Sequence, residues 1–511
     1  METKTSQAKA KHLLKSELGK RDISYPELVR HLSKIGRDET VASVTNKINR
    51  GSFSASFLID CMMSIGIGKI DIPFPERPSS SNGKTVQERE IDSQYTFSFN
   101  GQEEFEPSFF YDSVEGHSYI NIRNTPLFSL SQNKIISLFT GAGGLDIGLE
   151  AAGFETAICV ELDEDCRETL RYNRPEWKLF EDDQNPDGEK RTPGDIRQIE
   201  ADELLDAAGL EKGEAALVTG GAPCQPFSNI GKRKGKNDPK NGDLFQDFVR
   251  VVRGAMPRAF IFENVSGITQ SRHQEVIDYM TSKFEGLGYS LSWTKLNAAD
   301  YGVPQKRIRF FLIGLLGEHR PAFPLPTHYR SQKRWEEFAS RLNDDPDYSP
   351  DDWVSVGDAF SQIPDNIEER FDYVQMNNTE KVKHRMTYIG PGENFHVVPD
   401  KYLPNCWKSG KHQGQDTFGR MEIDKPSHTI RTAAYNPSKG QYIHPTEDRG
   451  LNSYEMAVLQ GFHPDWEFRI ANRSKMTLKS AGNQIGNAVP PPLAKALGKA
   501  LSIQFMIRQQ A

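Results

Sequence analysis

The stretch Ile135-Ile-Ser-Leu-Phe139-Thr-Gly-Ala-Gly-Gly144 decides the fold of the chain. Its apolar first half predicts a buried strand, and its glycines predict a tight turn that leads into a helix with Leu145 and Leu149 on the inward face. A second strand is predicted over residues 156–160 and ends at the acid Glu161. This order opens a Rossmann-like sheet, in which an acid at the end of the second strand binds ribose hydroxyls.

The glycine turn departs from the dinucleotide fingerprint at one position. Asp146 stands where the third glycine of that fingerprint belongs. A nucleoside ligand without a pyrophosphate, such as S-adenosylmethionine, therefore fits the turn better than NAD does. A dehydrogenase is an alternative that Asp146 disfavours.

The alternation of strands and helices continues to about residue 316. Further strands are predicted at 216–219, 259–262, near 290 and at 308–313, and helices at 244–252 and 276–284. Alternation at this spacing implies an α/β fold with a mainly parallel sheet, whose ligands bind at the carboxyl ends of the strands. Glu161, Cys224 and Glu263-Asn264 each closely follow a predicted strand, so they are candidates for one common site.

Cys224 occupies the tip of a stiff loop in Ala216-Leu-Val-Thr-Gly-Gly-Ala-Pro-Cys-Gln-Pro-Phe-Ser228. The apolar start of this stretch predicts a buried strand, and the glycine pair breaks it. Pro223 and Pro226 fix their own backbone angles and restrict the residue before each of them. That geometry suits a nucleophile, although the stretch alone leaves a buried, inert cysteine as an alternative.

Composition bounds the class of protein. A chain of 511 residues suggests two or three domains. The net charge of -7 and the pI near 6.0 give no polybasic signature, so nucleic-acid contacts must depend on local basic patches. The five cysteines show no zinc-ligand spacing, and no apolar run is long enough to span a bilayer. We expect a cytoplasmic protein with reduced thiols, no membrane association and no metal site.

The first seventy residues have a helical pattern. Ser24-Tyr-Pro-Glu27 has the spacing of a capping box. In the next helix, we expect Val41, Val44 and Ile48 to face the other helices. The outward residues are predicted to be Ser43, Thr45, Asn46, Lys47 and Arg50. This pattern resembles the repressor-type helix-turn-helix, and a helical docking module is the alternative.

Five motifs occur in order along the rest of the chain: Leu138-Phe-Thr-Gly-Ala-Gly-Gly144, Gly221-Ala-Pro-Cys-Gln-Pro-Phe-Ser228, Phe262-Glu-Asn-Val265, Gln305-Lys-Arg-Ile-Arg309 and Gly482-Asn-Gln-Ile-Gly-Asn-Ala-Val489. Together they resemble the DNA cytosine-5 methyltransferase family of bacterial restriction-modification systems. The resemblance covers Lys134 to about Leu501. It implies a Rossmann-like, S-adenosylmethionine-dependent methyltransferase domain with a mainly parallel sheet and an inserted small target-recognition domain. The N-terminal helical module lies outside the resemblance and is predicted from its own helical pattern.

The resulting domain prediction has five parts. Residues 1–72 form a helix-turn-helix-like module, 73–133 a linker with a few strands, 134–316 the catalytic and cofactor-binding domain, 317–425 the target-recognition domain, and 426–511 the part that completes the recognition and catalytic domains.

The resemblance also implies a chemistry. Carbon 5 of cytosine is a poor nucleophile, and addition of a thiolate at C6 activates it. Cys224 would supply the thiolate, while Glu263 would act as an acid at N3 and Arg307 as a cation at O2. An acid working at N3 must be protonated for part of the cycle, which favours a desolvated carboxyl.

The candidate residues that the resemblance implies fall into two sets. The catalytic candidates are Cys224, Glu263, Asn264, Gln305, Arg307 and Arg309. The candidates for binding S-adenosylmethionine are Phe139, Gly141, Gly143, Gly144, Leu145, Glu161, Asp195, Pro223, Asn487 and Val489.

Access to C6 requires that a duplex base rotate out of the stack. Residues 228–240 carry five basic side chains and suit a hinged loop that closes over DNA phosphates, a solvated charged loop being the alternative. The DNA-binding candidates there are Ser228, Lys232, Arg233, Lys234 and Lys236. The resemblance assigns base readout to residues 317–425. We expect a monomer that acts on double-stranded DNA, with a possible companion restriction endonuclease.

Proteins of two further functional classes could share part of this pattern. The RNA-acting branch of the same family methylates a tRNA cytosine, but the long insertion and the N-terminal module argue against it. A catalytically silent DNA-binding regulator is disfavoured because the cysteine, the glutamate and the arginine are all present.

Overall fold

The computed structural model describes residues 14, 18, 21, 23–34, 37, 39–50, 61–62, 64–65, 97–99, 102–105, 107–112, 114–123, 126, 128, 130–222, 244–269, 274–344, 346, 348–408 and 416–510. The chain divides into two compact units, one from Met1 to Glu90 and the other from Ile91 to Ala511. Within the described ranges, no helix is long and apolar enough to cross a bilayer.

The first unit contains helices α1 (Tyr25–Lys34) and α2 (Val41–Arg50). The predicted capping box is present, because both the backbone N–H and the hydroxyl of Ser24 donate to the Glu27 carboxylate. The helices share a small core: Leu14, Leu18, Leu28, Leu32, Val44, Ile48, Cys61, Met62 and Ile65. Val44 and Ile48, which were predicted to face the other helices, lie in this core.

The predicted faces of α2 need one correction. Val41 is 42% exposed, since it begins the helix at the edge of the apolar stripe. Ser43 and Lys47, predicted to point outward, both bond to the Glu39 carboxylate. The side chains of Asn46 and Arg50 lie outside the described part of the chain, and the helix-turn-helix stays a prediction.

The strands of the second unit are β1 (Phe97–Phe99), β2 (Gln102–Phe105), β3 (Phe109–Asp112), β4 (His117–Ile120), β5 (Lys134–Leu138), β6 (Glu155–Val160), β7 (Leu217–Gly220), β8 (Ala259–Val265), β9 (Tyr289–Asn297), β10 (Gln305–Lys306), β11 (Ile308–Leu316), β12 (Phe323–Pro324), β13 (His328–Tyr329), β14 (Asp351–Asp352) and β15 (Ser427–His428).

The helices of this unit are α3 (Gly144–Glu150), α4 (Glu164–Asn173), α5 (Ala201–Ala208), α6 (Leu244–Ala255), α7 (Gln274–Glu285), α8 (Gln332–Ala339), α9 (Val356–Phe360), α10 (Glu380–Met386), α11 (Asn405–Lys408), α12 (Ser453–Gln460), α13 (Leu478–Asn487) and α14 (Pro491–Gln510). Short 3₁₀ turns cover Ile196–Gln198, Ser266–Thr269, Ala298–Tyr301, Ile367–Glu369, Phe395–Val397, Asp400–Tyr402 and Pro437–Lys439.

The central sheet has the strand order β6-β5-β7-β8-β11-β9. Neighbours from β6 to β8 are parallel, whereas β11 runs antiparallel to both β8 and β9. The predicted mainly parallel α/β sheet is therefore confirmed. The carboxyl ends of β5, β6, β7 and β8 meet at one edge, as parallel strands require.

Both faces of this sheet are covered, because successive strand residues point to opposite sides. Ile136, Val218 and Phe260 pack on one face with α5, α6 and α7. Ile135 and Leu217 pack on the other face with α3 and α14. The result is a three-layer architecture in which the last helix of the chain packs beside the first helix of the sheet domain.

Contact between α3 and α14 depends on small residues. A Cβ at Gly148 would lie 2.3 Å from the Pro491 carbonyl oxygen and 2.4 Å from the Ala494 Cβ. Glycine at this position therefore allows the two helices to approach closely. The contact brings the segment that precedes Pro491 to the edge of the sheet where the glycine turn lies.

The second half of the segment predicted as a linker with a few strands contains strands that pack into the main core. Strands β3 and β4 form a hairpin, and β4 pairs in parallel with β12. Phe110, Tyr119 and Ile120 are buried in the same core as α3 and α14. The aromatic residues scattered through this segment had no periodicity to reveal that they fill a core.

A small lobe, which comprises residues 380–408 and 416–448, begins in the region predicted for target recognition and extends beyond its predicted end at residue 425. Its core is made of Met386, Ile389, Phe395, Val398, Phe418 and Ile443. By contrast, Phe323 and Trp335 pack in the main core with β4 and α14. The packing therefore differs from the predicted boundaries at residues 317 and 425, since short elements gave the sequence no clear start or end of a domain.

Candidate active site

A cavity of about 870 Å³ opens at the carboxyl ends of β5, β6, β7 and β8. The predicted residues that line it are Phe139, Gly141, Gly144, Leu145, Glu161, Asp195, Glu263, Asn264, Arg307, Arg309, Asn487 and Val489. Residues that are far apart in sequence thus converge on one site. Both the glycine turn and the last motif contribute to its walls.

The predicted nucleophile and the residues predicted around it fall between Ala222 and Leu244, outside the described part of the chain. They are Pro223, Cys224, Ser228, Lys232, Arg233, Lys234 and Lys236. Their roles stay predictions.

The glycine turn follows β5 with an unusual backbone. Phe139 has φ 53°, Gly141 has φ 57° and Gly143 has φ 82°. An added Cβ at Gly141 would meet no atom within 4 Å, so bare backbone faces open space at this point of the wall. A Cβ at Gly143 would instead lie 2.9 Å from Leu170. Gly143 therefore supports the turn from behind and does not line the cavity.

Glu161 fixes the geometry of the turn. Its Oε2 accepts the backbone N–H of Gly141 at 2.7 Å, and its Oε1 accepts that of Asp163 at 2.7 Å. Burial raises the pKa of this carboxyl, and the two backbone donors oppose the shift. Each carboxylate oxygen has two lone pairs, so capacity remains for a ligand hydroxyl.

Asp195 lies beside Glu161 because Gly194 allows a close approach. Gly194 has φ 74°, and a Cβ there would lie 1.9 Å from the Glu161 carbonyl oxygen. Arg197 donates from Nε to Asp195 Oδ1 at 2.8 Å and from Nη2 to Oδ2 at 2.5 Å. Arg197 also lines the cavity. Arg197 was not predicted as a site residue. Its position two residues after Asp195 could have indicated it.

Asp146, the residue that breaks the dinucleotide fingerprint, lies in the first turn of α3. The side chain is completely buried, and burial raises its pKa to about 7. The departure from the fingerprint thus places a second buried carboxyl next to the glycine turn.

Glu263 and Arg309 form an ion pair on the opposite wall. The Arg309 Nε lies 3.2 Å from Glu263 Oε1. Strands β8 and β11 are antiparallel, with Glu263 paired to Phe311 and Val265 to Arg309. Burial raises the pKa of Glu263, whereas the charges of Arg309 and Arg307 lower it.

The backbone that leads to Cys224 passes next to this pair. A Cβ at Gly221 would lie 2.6 Å from Glu263 Oε2, so the glycine makes room for the carboxyl. Asn264 donates from Nδ2 to the Ala222 carbonyl at 3.1 Å and accepts the Val265 N–H at 2.7 Å. The Glu263-Asn264 pair therefore holds the chain two and three residues before Cys224.

The side chain of Arg307, which was predicted to act at O2, bonds to backbone carbonyls. Its Nη1 donates to the Ile430 carbonyl at 3.0 Å and its Nη2 to the Gly486 carbonyl at 2.9 Å. Only 1% of the residue is exposed. Arg309, and not Arg307, is the arginine paired with Glu263. Arg307 lies between β10 and β11, where its N–H donates to the Gln305 carbonyl at 3.0 Å. This turn prevents the two arginines from sharing a face, as they would in one extended strand.

Gln305 is also buried, and it bonds away from the cavity. Its Nε2 donates to the Leu459 carbonyl at 3.0 Å and to Gln460 Oε1 at 2.8 Å, while its Oε1 accepts the Ile430 N–H at 2.8 Å. Gln460 in turn donates to the Ala488 carbonyl at 2.5 Å. Gln460 was missed in the sequence, since nothing near it marks a site.

The model of the C-5 cytosine-specific DNA methylases matches residues 133–502. The chain belongs to this family. Cytosine-5 methylation of DNA is therefore its activity. A second match covers residues 7–70 and is to a domain of unknown function, DUF6471.

Several named relatives are similar to this methylase. Type II methyltransferase M.AquIA of Picosynechococcus sp. is 41% identical over 243 residues, which cover 46% of this chain and 90% of that protein. M1.HphI of Haemophilus parahaemolyticus is 30% identical over 72% of this chain and 86% of its own length. M.Sau96I of Staphylococcus aureus is 32% identical over 72% and 75%, respectively.

Among solved structures, a protein named as a DNA modification methyltransferase encoded within an E. coli prophage aligns with a TM-score of 0.50 and 22% identity. The alignment covers 72% of this chain and 98% of that one. This likeness supports the fold alone.

Among the described residues, no group of three His, Cys, Asp or Glu side chains is placed to hold a metal ion.

Proposed function

We propose that this methylase transfers a methyl group from S-adenosylmethionine to C5 of a cytosine that has been rotated out of duplex DNA. The observation that carries the proposal is the Glu263–Arg309 ion pair beside Gly221, in the same cavity as the glycine turn. One cavity thus combines a cofactor wall and a base-activating wall. The chain between Gly221 and Leu244 contains the predicted nucleophile, Cys224.

The residues of the cofactor wall fit S-adenosylmethionine. Gly141 leaves space that a side chain would fill, and Glu161 has lone pairs left for the ribose hydroxyls. Asp195 lies next to Glu161 as a further acceptor, suited to the adenine amino group. When bound there, the cofactor would supply an electrophilic methyl group on its sulfonium.

Cys224 activates the base by addition. Its thiolate forms a bond to C6, and the electron pair of the C5–C6 double bond moves toward C5. After C5 is methylated, loss of its proton drives cleavage of the bond between sulfur and C6. The thiolate is then regenerated and the ring regains its double bond.

Glu263 and Arg309 manage the charge that this addition places on the ring. Glu263 is buried and its pKa is raised, so its carboxyl keeps a proton to a higher pH and can donate it to N3. Arg309 is paired with that carboxyl and supplies a cation toward O2. We therefore assign to Arg309 the role that the sequence suggested for Arg307.

DNA recognition is proposed for the small lobe and for the basic loop over residues 228–240. The surface of the lobe combines the exposed basic side chains Lys381, His384 and Lys401 with the stacked rings of Tyr388 and Tyr402. Such a surface suits phosphate contacts and contacts to bases. The names of the relatives, which are type II methyltransferases, support a place in a restriction-modification system. A companion endonuclease and a monomeric methylase are part of the proposal.

The experiment is a methyl-transfer assay with labelled S-adenosylmethionine, which compares duplex DNA with tRNA as acceptor. We expect label in DNA, recovered as 5-methylcytosine after digestion to nucleosides, and bisulfite sequencing should show one sequence context. Label confined to tRNA would favour the RNA-acting branch. Label recovered as another methylated base would overturn the proposed chemistry.

A further inference from the structure

We infer that Arg307 is a positioning residue for the cofactor wall, which it ties to the strand that carries Arg309. This inference rests on the proposed function, since it assigns a use to the wall that would bind S-adenosylmethionine. It separates two arginines of one motif into two tasks.

Arg307 donates hydrogen bonds to two backbone carbonyls. Its two Nη groups bond to the carbonyls of Ile430 and Gly486 at 3.0 and 2.9 Å. Gly486 lies in the last turn of α13, where carbonyls have no partner within the helix. A buried cation at that end also complements the helix dipole. Arg307, which directly precedes β11, thus stabilises the end of α13.

The end of α13 forms part of the cavity wall. Asn487, the last residue of α13, and Val489, two residues beyond it, line the cavity. A parallel connection starts from Gln305, passes through Gln460 and ends at the Ala488 carbonyl. Two buried side-chain connections therefore join the Gln305–Arg307 segment to the cavity wall, one at the Gly486 carbonyl and one at the Ala488 carbonyl.

The segment around Ile430 fills the space between α13 and the Gln305–Arg307 segment. Gln305 accepts the Ile430 N–H, and Arg307 bonds to the carbonyl of the same residue. A Cβ at Gly486 would lie 2.4 Å from the Thr432 backbone nitrogen. The segment around Ile430 therefore packs between the Gln305–Arg307 segment and α13. Because the space is filled, a shift of one of these elements moves the others.

The geometry thus predicts opposite kinetic effects for two neighbouring arginines. Loss of Arg307 should loosen the cofactor wall, while loss of Arg309 should impair the chemistry at the base. The carbonyls that Arg307 serves would be left buried without their donors, which is costly.

The test measures binding of S-adenosylmethionine to the full chain without DNA, by calorimetry, and kcat at saturating cofactor and DNA. We expect Arg307→Met to raise the Kd for the cofactor by about 10- to 100-fold with a smaller change in kcat, and Arg307→Lys to restore part of the loss. Arg309→Met should lower kcat and leave the Kd unchanged. Arg473→Met, at an exposed arginine, is the matched control and should alter neither value.

Gln460→Met provides the second variant if Arg307→Met does not fold. It removes the donor to the Ala488 carbonyl and the acceptor for Gln305 Nε2, which keeps its bond to the Leu459 carbonyl. We expect a several-fold rise in the cofactor Kd with kcat retained. An unchanged Kd in every folded variant, or a fall in kcat alone for Arg307→Met, would overturn the inference. If the wild-type chain binds cofactor and responds to Arg307→Met but does not methylate DNA, the proposed function fails while the inference stands.

Discussion

The sheet domain and the small lobe of this methylase are stabilised in different ways. In the sheet domain, continuous strands such as β8 and β11 bury apolar side chains on both faces. In the lobe, the elements are one or two turns long, and its own core has six buried apolar residues. One arginine, Arg420, connects the loops of the lobe.

Arg420 has a hydrogen-bonding role that no strand fills. It donates to the carbonyls of Met386, Ile389, His444 and Glu447 at distances from 2.6 to 3.0 Å, and its guanidinium also pairs with Asp448. Where regular structure is absent, buried polar contacts and neighbouring cores must hold the backbone.

The largest effect is expected from removing this connection. Arg420→Met removes the guanidinium donors from four carbonyls, of which that of Met386 keeps the Ile389 N–H, and should destabilise the lobe by about 3–5 kcal/mol. Specific DNA binding and DNA methylation should be lost while binding of S-adenosylmethionine persists. The measurements are limited proteolysis, a DNA-binding titration and cofactor calorimetry.

Arg473→Met serves as the control for the loss of one arginine, because Arg473 is exposed. Unchanged specific DNA binding by Arg420→Met would contradict the view that one buried arginine organises the lobe.

A change in the sheet domain should separate chemistry from DNA binding. Glu263→Gln keeps the shape of the side chain but cannot deliver a proton, so kcat should fall by at least about 10²-fold with DNA and cofactor affinity retained. Burial raises the pKa of Glu263, so the protonated form persists to a higher pH than in an exposed glutamate. Wild-type kcat should then decline as the pH rises through that raised pKa.

The pH dependence of kcat sharpens this prediction. The alkaline decline should be missing in Glu263→Gln, which has no proton to lose. In Arg309→Met, loss of a positive charge that lowers the pKa of Glu263 should move the decline to higher pH. A wild-type decline that survives in Glu263→Gln would assign it to another group.

The smallest effect concerns packing of the sheet domain. Gly148→Ala places a methyl group against Pro491 and Ala494, and should destabilise the domain by about 1–3 kcal/mol in denaturant unfolding. Gly286→Ala is the control, because its Cβ would lie 3.5 Å from the nearest atom, and should stay within about 0.5 kcal/mol. Equal stability of both variants would show that the α3–α14 contact has room to adjust.

The sequence was sufficient for the sheet domain because its signals are local. Strand residues such as Ile135 and Val218 alternate with helices, and Glu161 follows a strand where a ligand is expected. The orientation of Arg307 and Arg309 could not be predicted, since it depends on whether the chain is extended between them and on what lies behind each one. Nor could the partners of Arg420 be predicted, because they are backbone carbonyls that every residue possesses.

Covalent trapping tests the central claim most directly. A duplex with 5-fluorocytosine at the target position has no proton at C5 to lose, so the bond from Cys224 to C6 should persist after methyl transfer. We expect wild-type protein to form a denaturation-resistant adduct with this duplex only when S-adenosylmethionine is present, and Cys224→Ala to form none. An adduct with Cys224→Ala, or no adduct from a wild-type preparation that methylates the unmodified duplex, would contradict the account.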